Sequence, residues 1–186
     1  MSPITENARV SKTAPISPEQ SSLSPLQDVL ISCLQEMHSA EQQIASALPA
    51  LQQKATHPAL REGLGKHLGE TTMHIERLEK ALQLVGAASG TKTCKVMETL
   101  LQEGNAQIEQ TPAGSTLRDV VLVLSAQKVE HQEIASYGGL MQLAKMLGHN
   151  DIVGLLDASL KEEYGADKLL TLVAESGLNY NAASGQ

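Results

Sequence analysis

The stretch VEHQEIASYG at residues 129–138 places two glutamates, Glu130 and Glu133, three positions apart. Apolar residues continue the same spacing on either side, from Ala126 before them to Tyr137 after them. Steps of three and four predict an amphipathic helix, and this one carries two carboxylates inside its apolar stripe. Both carboxylates can point to the same place because they lie about one turn apart. A lone carboxylate is expensive to bury, so the pair needs a partner in the core.

The same helical periodicity covers most of the chain. It predicts helices at residues 25–55, 58–85, 93–109, 116–147 and 150–177. The irregular stretch around the short helix is too long for a turn between adjacent antiparallel helices, and it suits a crossover from one end of a bundle to the other. No βαβ alternation is present. The predicted fold class is all-α, an antiparallel four-helix bundle whose crossover connection carries a short extra helix.

Local signals mark the start of the first helix. Ser24 can cap it, Pro25 suits its first turn, and Gln27 completes a capping box. Pro49 lies further along the same helix, where its ring clashes with the carbonyl four residues back. We therefore predict a kink near Ala45.

Proline and glycine also delimit the later helices. Pro58 opens the second helix and Gly86 ends it, whereas Gly148 ends the 116–147 helix. Asn150 is the predicted cap of the last long helix, which we expect to stop at Gly177.

Three segments follow from these boundaries. Residues 1–22 are rich in Ser, Pro, Thr and Glu without periodicity, and this composition predicts a disordered tail. Residues 23–178 form the predicted bundle, and residues 179–186 form a C-terminal tail.

The composition favours helices and narrows the functional classes. The chain has 186 residues, no Phe, no Trp and only three Tyr, so Leu, Val, Ile, Ala and Met must fill the core. A net charge of -7 disfavours nucleic-acid binding. No apolar run approaches the roughly 20 residues of a membrane span, and the N-terminus lacks the apolar stretch of a signal peptide. We therefore expect a cytoplasmic protein that binds neither nucleic acid nor membrane.

The two cysteines do not indicate a cross-linked or zinc-binding protein. Cys33 and Cys94 lack the spacing of a CxxC motif, and two cysteines do not make a disulfide scaffold. Both lie where helical patterns run. We interpret them as buried free thiols.

Acidic residues interrupt the apolar stripes of all four long helices. The candidates in or beside these stripes are Glu41, Glu70, Glu130, Glu133 and Glu163, together with His67 and His74 beside Glu70. Buried like charges persist only if they are protonated, paired or bound to cations. Hard oxygen ligands with imidazole suit iron or manganese, and four facing helices can converge them on two ions. The alternative is that these glutamates flank the apolar faces and form salt bridges or face solvent.

Several segments carry a resemblance to a known family. They are residues 39–43 with 47–49, residues 67–71, residues 129–138, and Glu162-Glu163 followed by Asp167. In this order they resemble the YciE/YciF family of bacterial ferritin-like proteins over about residues 25–176. The resemblance implies a rubrerythrin-like four-helix bundle, frequently a homodimer, in a family associated with bacterial stress responses.

The resemblance also implies a ligand set. The positions that match the ferritin-like carboxylates are Glu41, Glu70, Glu130, Glu133 and Glu163. The usual Glu-x-x-His of the second helix is absent because position 73 is Met, so the imidazole comes from His74 or from His67. The last helix offers Glu162, Glu163 and Asp167 but no histidine. These departures argue against a standard di-iron site with fast ferroxidase chemistry.

The sequence thus supports two hypotheses of function. In the first, the protein binds two ions of iron or manganese per chain, with Glu41 and Glu163 as terminal ligands. Glu70 and Glu130 bridge the ions, and the ligands that complete the shell are Glu133 and His74; His67, Glu162 and Asp167 are weaker candidates. Such a protein could be an oxidoreductase of ferroxidase or peroxidase type. In the second, it is a non-catalytic helical dimerisation or stress-interaction module with a degenerate metal site.

Overall fold

The computed structural model describes residues 25–184. The predicted tail at residues 1–22 and the predicted cap at Ser24 lie outside this range. Within it the secondary structure is helical, without strands. The long helices are α1 (Pro25–Lys54), α2 (Pro58–Leu84), α4 (Thr116–Met146) and α5 (Asn150–Val173), and the short ones are α3 (Lys95–Glu109) and α6 (Asn179–Ser184). The all-α prediction is confirmed.

The order of helices around the bundle follows from their packing. α1 packs against α2 and α4, and α5 packs against the same two helices, so α1 and α5 are diagonal. At one end, Lys54 of α1 pairs with Glu109 of α3 at 2.6 Å. At the other end, the start of α1 meets the turn before α5, where His149 Nε2 lies 2.8 Å from Gln27 Oε1. The connection from α2 through α3 therefore returns the chain from one end to the other, and all neighbouring long helices are antiparallel, as predicted.

Aliphatic side chains fill the space between the helices. Among the largest fully buried residues are Leu30, Leu34, Leu60, Leu78, Leu82, Met97, Ile108, Ile152 and Leu156. Tyr137 is buried with them, whereas Tyr164 and Tyr180 are exposed. No helix among residues 25–184 combines the length and apolar character that crossing a bilayer requires. The core thus rests on interdigitating Leu, Ile and Met.

The helix ends mostly follow the sequence signals. Ser115 caps α4 by accepting a hydrogen bond from the Arg118 N–H at 3.2 Å. α1 passes through Pro49 as a continuous helix, and the kink there stays a prediction. The prediction that Asn150 caps α5 is wrong: Asn150 is already helical, and His149 occupies the cap position without a side-chain bond. The tight turn after Gly148 places the first helical residue one position earlier than the capping preference suggested.

The chain beyond α5 stays helical after a break. α5 is followed by a kinked segment, Ala174–Leu178, in which Gly177 leaves the helical conformation with a φ of 108°. Only glycine enters this region readily, so Gly177 interrupts the helix where the sequence predicted a stop. Leu178 is buried, and the segment assigned to a C-terminal tail contains α6, which packs against α4.

Both cysteines are free thiols, but the prediction that both are buried is wrong for Cys33. Cys94 is buried and Cys33 is half-buried. The backbone N–H of Cys94 donates to Ser39 Oγ at 3.1 Å. This bond attaches the start of α3 to the middle of α1.

A buried aspartate holds the α1–α2 turn against the start of α4. Asp119 is fully buried, and its carboxylate accepts bonds from the backbone N–H of Thr56 at 2.9 Å and of His57 at 2.8 Å. The Thr56 hydroxyl donates to the same carboxylate. One side chain thus satisfies backbone donors at the start of α2 from a different helix.

Replacing Asp119 with Ala should lower the free energy of unfolding by about 1–3 kcal/mol, because three partly buried donors lose their common acceptor. Urea denaturation of the metal-free protein measures this loss. Asp28→Ala is the matched control, since Asp28 is an exposed acid in the first turn of α1. An equal, small effect of the two changes would show that Asp119 acts only through the helix dipole.

Candidate metal centre

Six ionisable side chains from the four long helices meet in the middle of the bundle. They are Glu41 of α1, His67 and His74 of α2, Glu130 and Glu133 of α4, and Glu163 of α5, and none is more than 5% exposed. Each sits near the middle of its helix, within the apolar stripe that packs against the neighbours. Because the helices present these stripes to one another, the acidic positions converge.

The six residues form two overlapping groups. In the first, the ligand atoms of His67, Glu130, Glu133 and Glu163 all lie within 4.8 Å of one another. In the second, those of Glu41, His74 and Glu163 do so. Glu163 belongs to both groups, so the two groups meet at its carboxylate.

His74 is the central cation of the second group. Its Nδ1 lies 2.9 Å from Glu163 Oε1 and 3.3 Å from Glu41 Oε1. Burial alone would lower the pKa of His74, but these two carboxylates outweigh it and raise the pKa to about 10. The Tyr137 hydroxyl donates to Glu41, which fixes that carboxylate from α4.

Glu162 and Arg77 orient the His74 ring from the side that faces away from Glu41 and Glu163. The ring Nε2 lies 2.8 Å from Glu162 Oε2. Arg77 holds the same carboxylate with two contacts, at 2.5 Å to Oε2 and 3.1 Å to Oε1, and this hydrogen bonding lowers the pKa of Glu162. A carboxylate behind an imidazole fixes the ring and aims its other nitrogen inward, as it does at many metal sites.

His67 forms the opposite side of the site and is less constrained. Its Nε2 lies 3.4 Å from Glu130 Oε1, and its Nδ1 lies 3.9 Å from Glu70 Oε2. Neither ring nitrogen has a hydrogen-bond partner. Glu70 stands at the rim with an 18% exposed side chain and pairs with Lys66. His67 and then Lys66 outweigh its partial burial and lower the pKa of Glu70 to about 2.

Most of the buried carboxylate oxygens lack a partner. Both oxygens of Glu133, Glu163 Oε2 and one oxygen each of Glu41 and Glu130 make no hydrogen bond, whereas Glu163 Oε1 has only the ion pair with His74. Buried polar groups are nearly always paired, so this concentration of unpaired acceptors needs an explanation. Cations bound among them would supply one.

The pKa values of the buried glutamates reflect the same excess of carboxylates over cations. Burial, reinforced by the charge of Glu163, raises the pKa of Glu130 to about 10. Burial and then the neighbouring carboxylates raise the pKa of Glu133 well above its usual value, and burial also raises that of Glu41. Without metal, the site can therefore hold protons at neutral pH in place of cations.

The structure brings together five of the strong candidates. Glu41, His74, Glu130, Glu133 and Glu163 all belong to the two groups. Glu70 lies at the rim and belongs to neither, whereas His67 does. Glu163 is the residue common to both groups, whereas the sequence hypothesis assigns the bridging role to Glu70 and Glu130. The spacing of seven between His67 and His74 could have revealed that both face the same way, because seven residues make about two turns.

The two remaining weaker candidates lie outside these groups. Glu162 holds the outer nitrogen of His74. Asp167 lies 3.4 Å from His131 Nδ1 and 3.5 Å from Gln127 Nε2, one turn beyond Glu163. His131 is exposed, so this pair belongs to the surface.

A family model described as "Domain of unknown function (DUF892)" matches residues 25–183 of this chain. The protein YciF of Escherichia coli K12 is 39% identical over 161 residues, which cover 84% of this chain and 95% of YciF. These matches confirm the resemblance to the YciE/YciF proteins.

Solved structures extend the similarity to the fold. The crystal structure of the E. coli stress protein YciF has a TM-score of 0.79 at 35% identity, covering 84% of this chain and 99% of that one. YcfI from Rhodopseudomonas palustris has a TM-score of 0.76 at 37% identity, covering 82% and 96%. A protein from Xanthomonas campestris shares the fold at 18% identity, with a TM-score of 0.68 and coverage of 86% and 96%.

Glu133→Gln should stabilise the metal-free protein. An acid whose pKa is raised on folding costs nothing below its unfolded pKa, near 4.5, and costs more as the pH rises above it. Glutamine does not titrate, so we expect the free energy of unfolding to rise by about 1–3 kcal/mol at pH 7. The gain should vanish near pH 4.5.

Chemical denaturation between pH 4.5 and 8 measures this gain. Glu76→Gln is the control, since Glu76 is exposed on α2. A Glu133→Gln protein that is no more stable than the wild type at pH 7 would contradict the buried, charge-crowded description of Glu133.

Proposed function

This chain belongs to the DUF892 family, and we propose that it is a stress-associated ferritin-like protein that binds two ions of iron or manganese. The observation that carries the proposal is the set of buried, unpartnered carboxylate oxygens in the bundle core. Leaving such acceptors unpaired is costly unless cations or protons neutralise them. Because Glu163 belongs to both ligand groups, two ions can share it.

The donor set fits iron or manganese. Carboxylate oxygens dominate both groups, and each group contains one imidazole. Oxygen-rich sites favour hard cations, and imidazole extends the preference to iron and manganese. Neither cysteine belongs to the groups, which disfavours a thiolate site for zinc or copper. His67, Glu130 and Glu133 would hold one ion, and Glu41 with His74 would hold the other.

The chemistry of such a centre would be reaction of the reduced metal with oxygen or peroxide. The protein's own residues prepare the surroundings. Tyr137 holds the Glu41 carboxylate, and Glu162 with Arg77 holds the His74 ring. Ile44 and Val129 line a small cavity beside His67 and Glu130 and keep that side apolar. A dry, fixed site strengthens every electrostatic interaction within it.

The association with stress comes from the relatives. The E. coli YciF structure is described as that of a stress protein. We extend this role to the present chain because the similarity covers nearly all of YciF.

A non-catalytic module with an empty, degenerate site is the second candidate. The observation that favours it is the ion pairing of His74 with Glu41 and Glu163, which partly balances the buried charge without metal. Protonation of Glu130 and Glu133 would neutralise more of it. Metal loading separates the two candidates.

The first experiment is elemental analysis after anaerobic loading of metal-free protein with ferrous iron or manganese. The proposal expects about two ions per chain and a higher melting temperature, because a ligand of the native state stabilises it. Less than about a tenth of an ion per chain, with no thermal shift, would favour the non-catalytic module.

Substitutions should separate the two ion positions. His67→Gln removes a ligand from one group only and should reduce the content to about one ion per chain. Glu163→Gln affects both groups and should reduce it to near zero, while Glu76→Gln retains the wild-type content. Equal metal content in all three variants would place the ions elsewhere.

The family resemblance also leads us to propose a homodimer. Light scattering during gel filtration should give about twice the chain mass of 19.8 kDa. A monomeric mass at micromolar concentration would contradict this assembly.

A further inference from the structure

A narrow cavity joins the surface to the candidate metal centre between α2 and α5. Its lining includes Gly63, Lys66, His67 and Glu70 from α2, Gly165 from α5, and Glu130 from α4. Its volume is about 30 Å³, which is room for about one water molecule. The same cavity thus touches both the partly exposed Glu70 and the buried Glu130, and aliphatic side chains form most of the rest of its lining.

Potential ligands follow one another along this cavity. Glu70 is at the outer end with a partly exposed side chain, and its Oε2 lies 3.9 Å from His67 Nδ1. The other ring nitrogen of His67 lies 3.4 Å from Glu130 Oε1, inside the site. His67 is 95% buried and both its nitrogens lack hydrogen-bond partners. The imidazole therefore faces a carboxylate on each side, one at the rim and one in the core.

We propose that this cavity is the loading route for divalent cations, with Glu70 receiving the ion and His67 passing it to Glu130. The inference rests on the proposed metal centre and adds a role for a glutamate that lies outside both ligand groups. A carboxylate at the mouth replaces waters that a hydrated cation must lose before it fits a space of this size. The net charge of -7 also attracts cations to the surface.

Lys66 regulates access to Glu70. Its ammonium group pairs with Glu70 Oε1, where an arriving cation would bind. The Lys66 side chain is 65% exposed, so it can move into solvent without breaking core contacts. Lys66 thus competes with the cation for Glu70, and removing it should speed loading.

The α5 side of the mouth is kept open by a missing side chain. A Cβ atom added at Gly165 would have no heavy atom within 4 Å apart from its own helix and chain neighbours. A larger residue there can project into the mouth without a backbone clash. Gly154, also exposed on α5, has the same free surroundings but does not line the cavity.

The test uses cobalt(II) under anaerobic conditions, and its binding to the metal-free full-length protein is followed by visible absorbance. Glu70→Gln should slow loading on the order of tenfold, and Lys66→Gln should accelerate it severalfold. Saturating cobalt content should equal that of the wild type in both variants. Slower loading in one variant and faster loading in the other are expected if both residues act on the entering cation. A general loss of stability would not change the loading rate in opposite directions.

A steric variant tests the same route without changing charge. Gly165→Leu should slow loading on the order of tenfold or more, whereas Gly154→Leu should load at the wild-type rate. Both changes replace a helical glycine with a good helix former, so folding should be preserved. Thermal melting of the metal-free variants checks this.

The outcomes separate the two proposals. Normal cobalt content with unchanged rates in Glu70→Gln and Gly165→Leu would overturn the route and leave the metal centre standing. A lower saturating content in Glu70→Gln would make Glu70 a ligand and overturn its role at the entrance. No cobalt at saturation in the wild type would overturn the metal centre and the route together.

Discussion

Crowding of like charge in the buried interior is the constraint on which this structure depends. Glu41, Glu130, Glu133 and Glu163 are at most 3% exposed, and His74 is the cation closest to Glu41 and Glu163. Isolated carboxylates would be ionised in water, so burying them together opposes folding. The aliphatic packing and the short, ordered turns must therefore stabilise the bundle by more than the free energy that burying these carboxylates requires. Proteins commonly concentrate such locally unfavourable features at their functional sites.

The surrounding structure holds the acidic centre from several directions. Tyr137 and Arg77 act next to it, through Glu41 and Glu162 respectively. Asp119 acts at a distance, because it joins the α1–α2 turn to the start of α4 and so fixes α1 and α2 relative to α4. Precise placement of ligands requires this kind of rigid support.

Helical periodicity was sufficient to predict the fold, because long stripes at steps of three and four leave little ambiguity. The same pattern predicted Glu41, Glu130, Glu133 and Glu163 as inward residues, since they lie inside apolar stripes. It could not place Glu70 and His67, which border the stripe of α2. At a border, a small rotation of the helix decides which side chain enters the core, and that rotation depends on packing with α5. The start of α5 was also predicted incorrectly. The tight turn after Gly148 fixes it, and the capping preference of Asn150 does not.

The near absence of aromatic residues makes this protein optically simple. With no Trp, no Phe and three Tyr in the sequence, near-ultraviolet signals come from the tyrosines, apart from the weak contribution of the cysteines. Tyr164 and Tyr180 are exposed, whereas Tyr137 is immobilised against Glu41 beside the acidic centre. A fixed, asymmetric setting is what gives an aromatic side chain its circular dichroism in this region. The folded protein therefore carries an intrinsic spectroscopic reporter at its centre, and events at Glu41 become visible without a label.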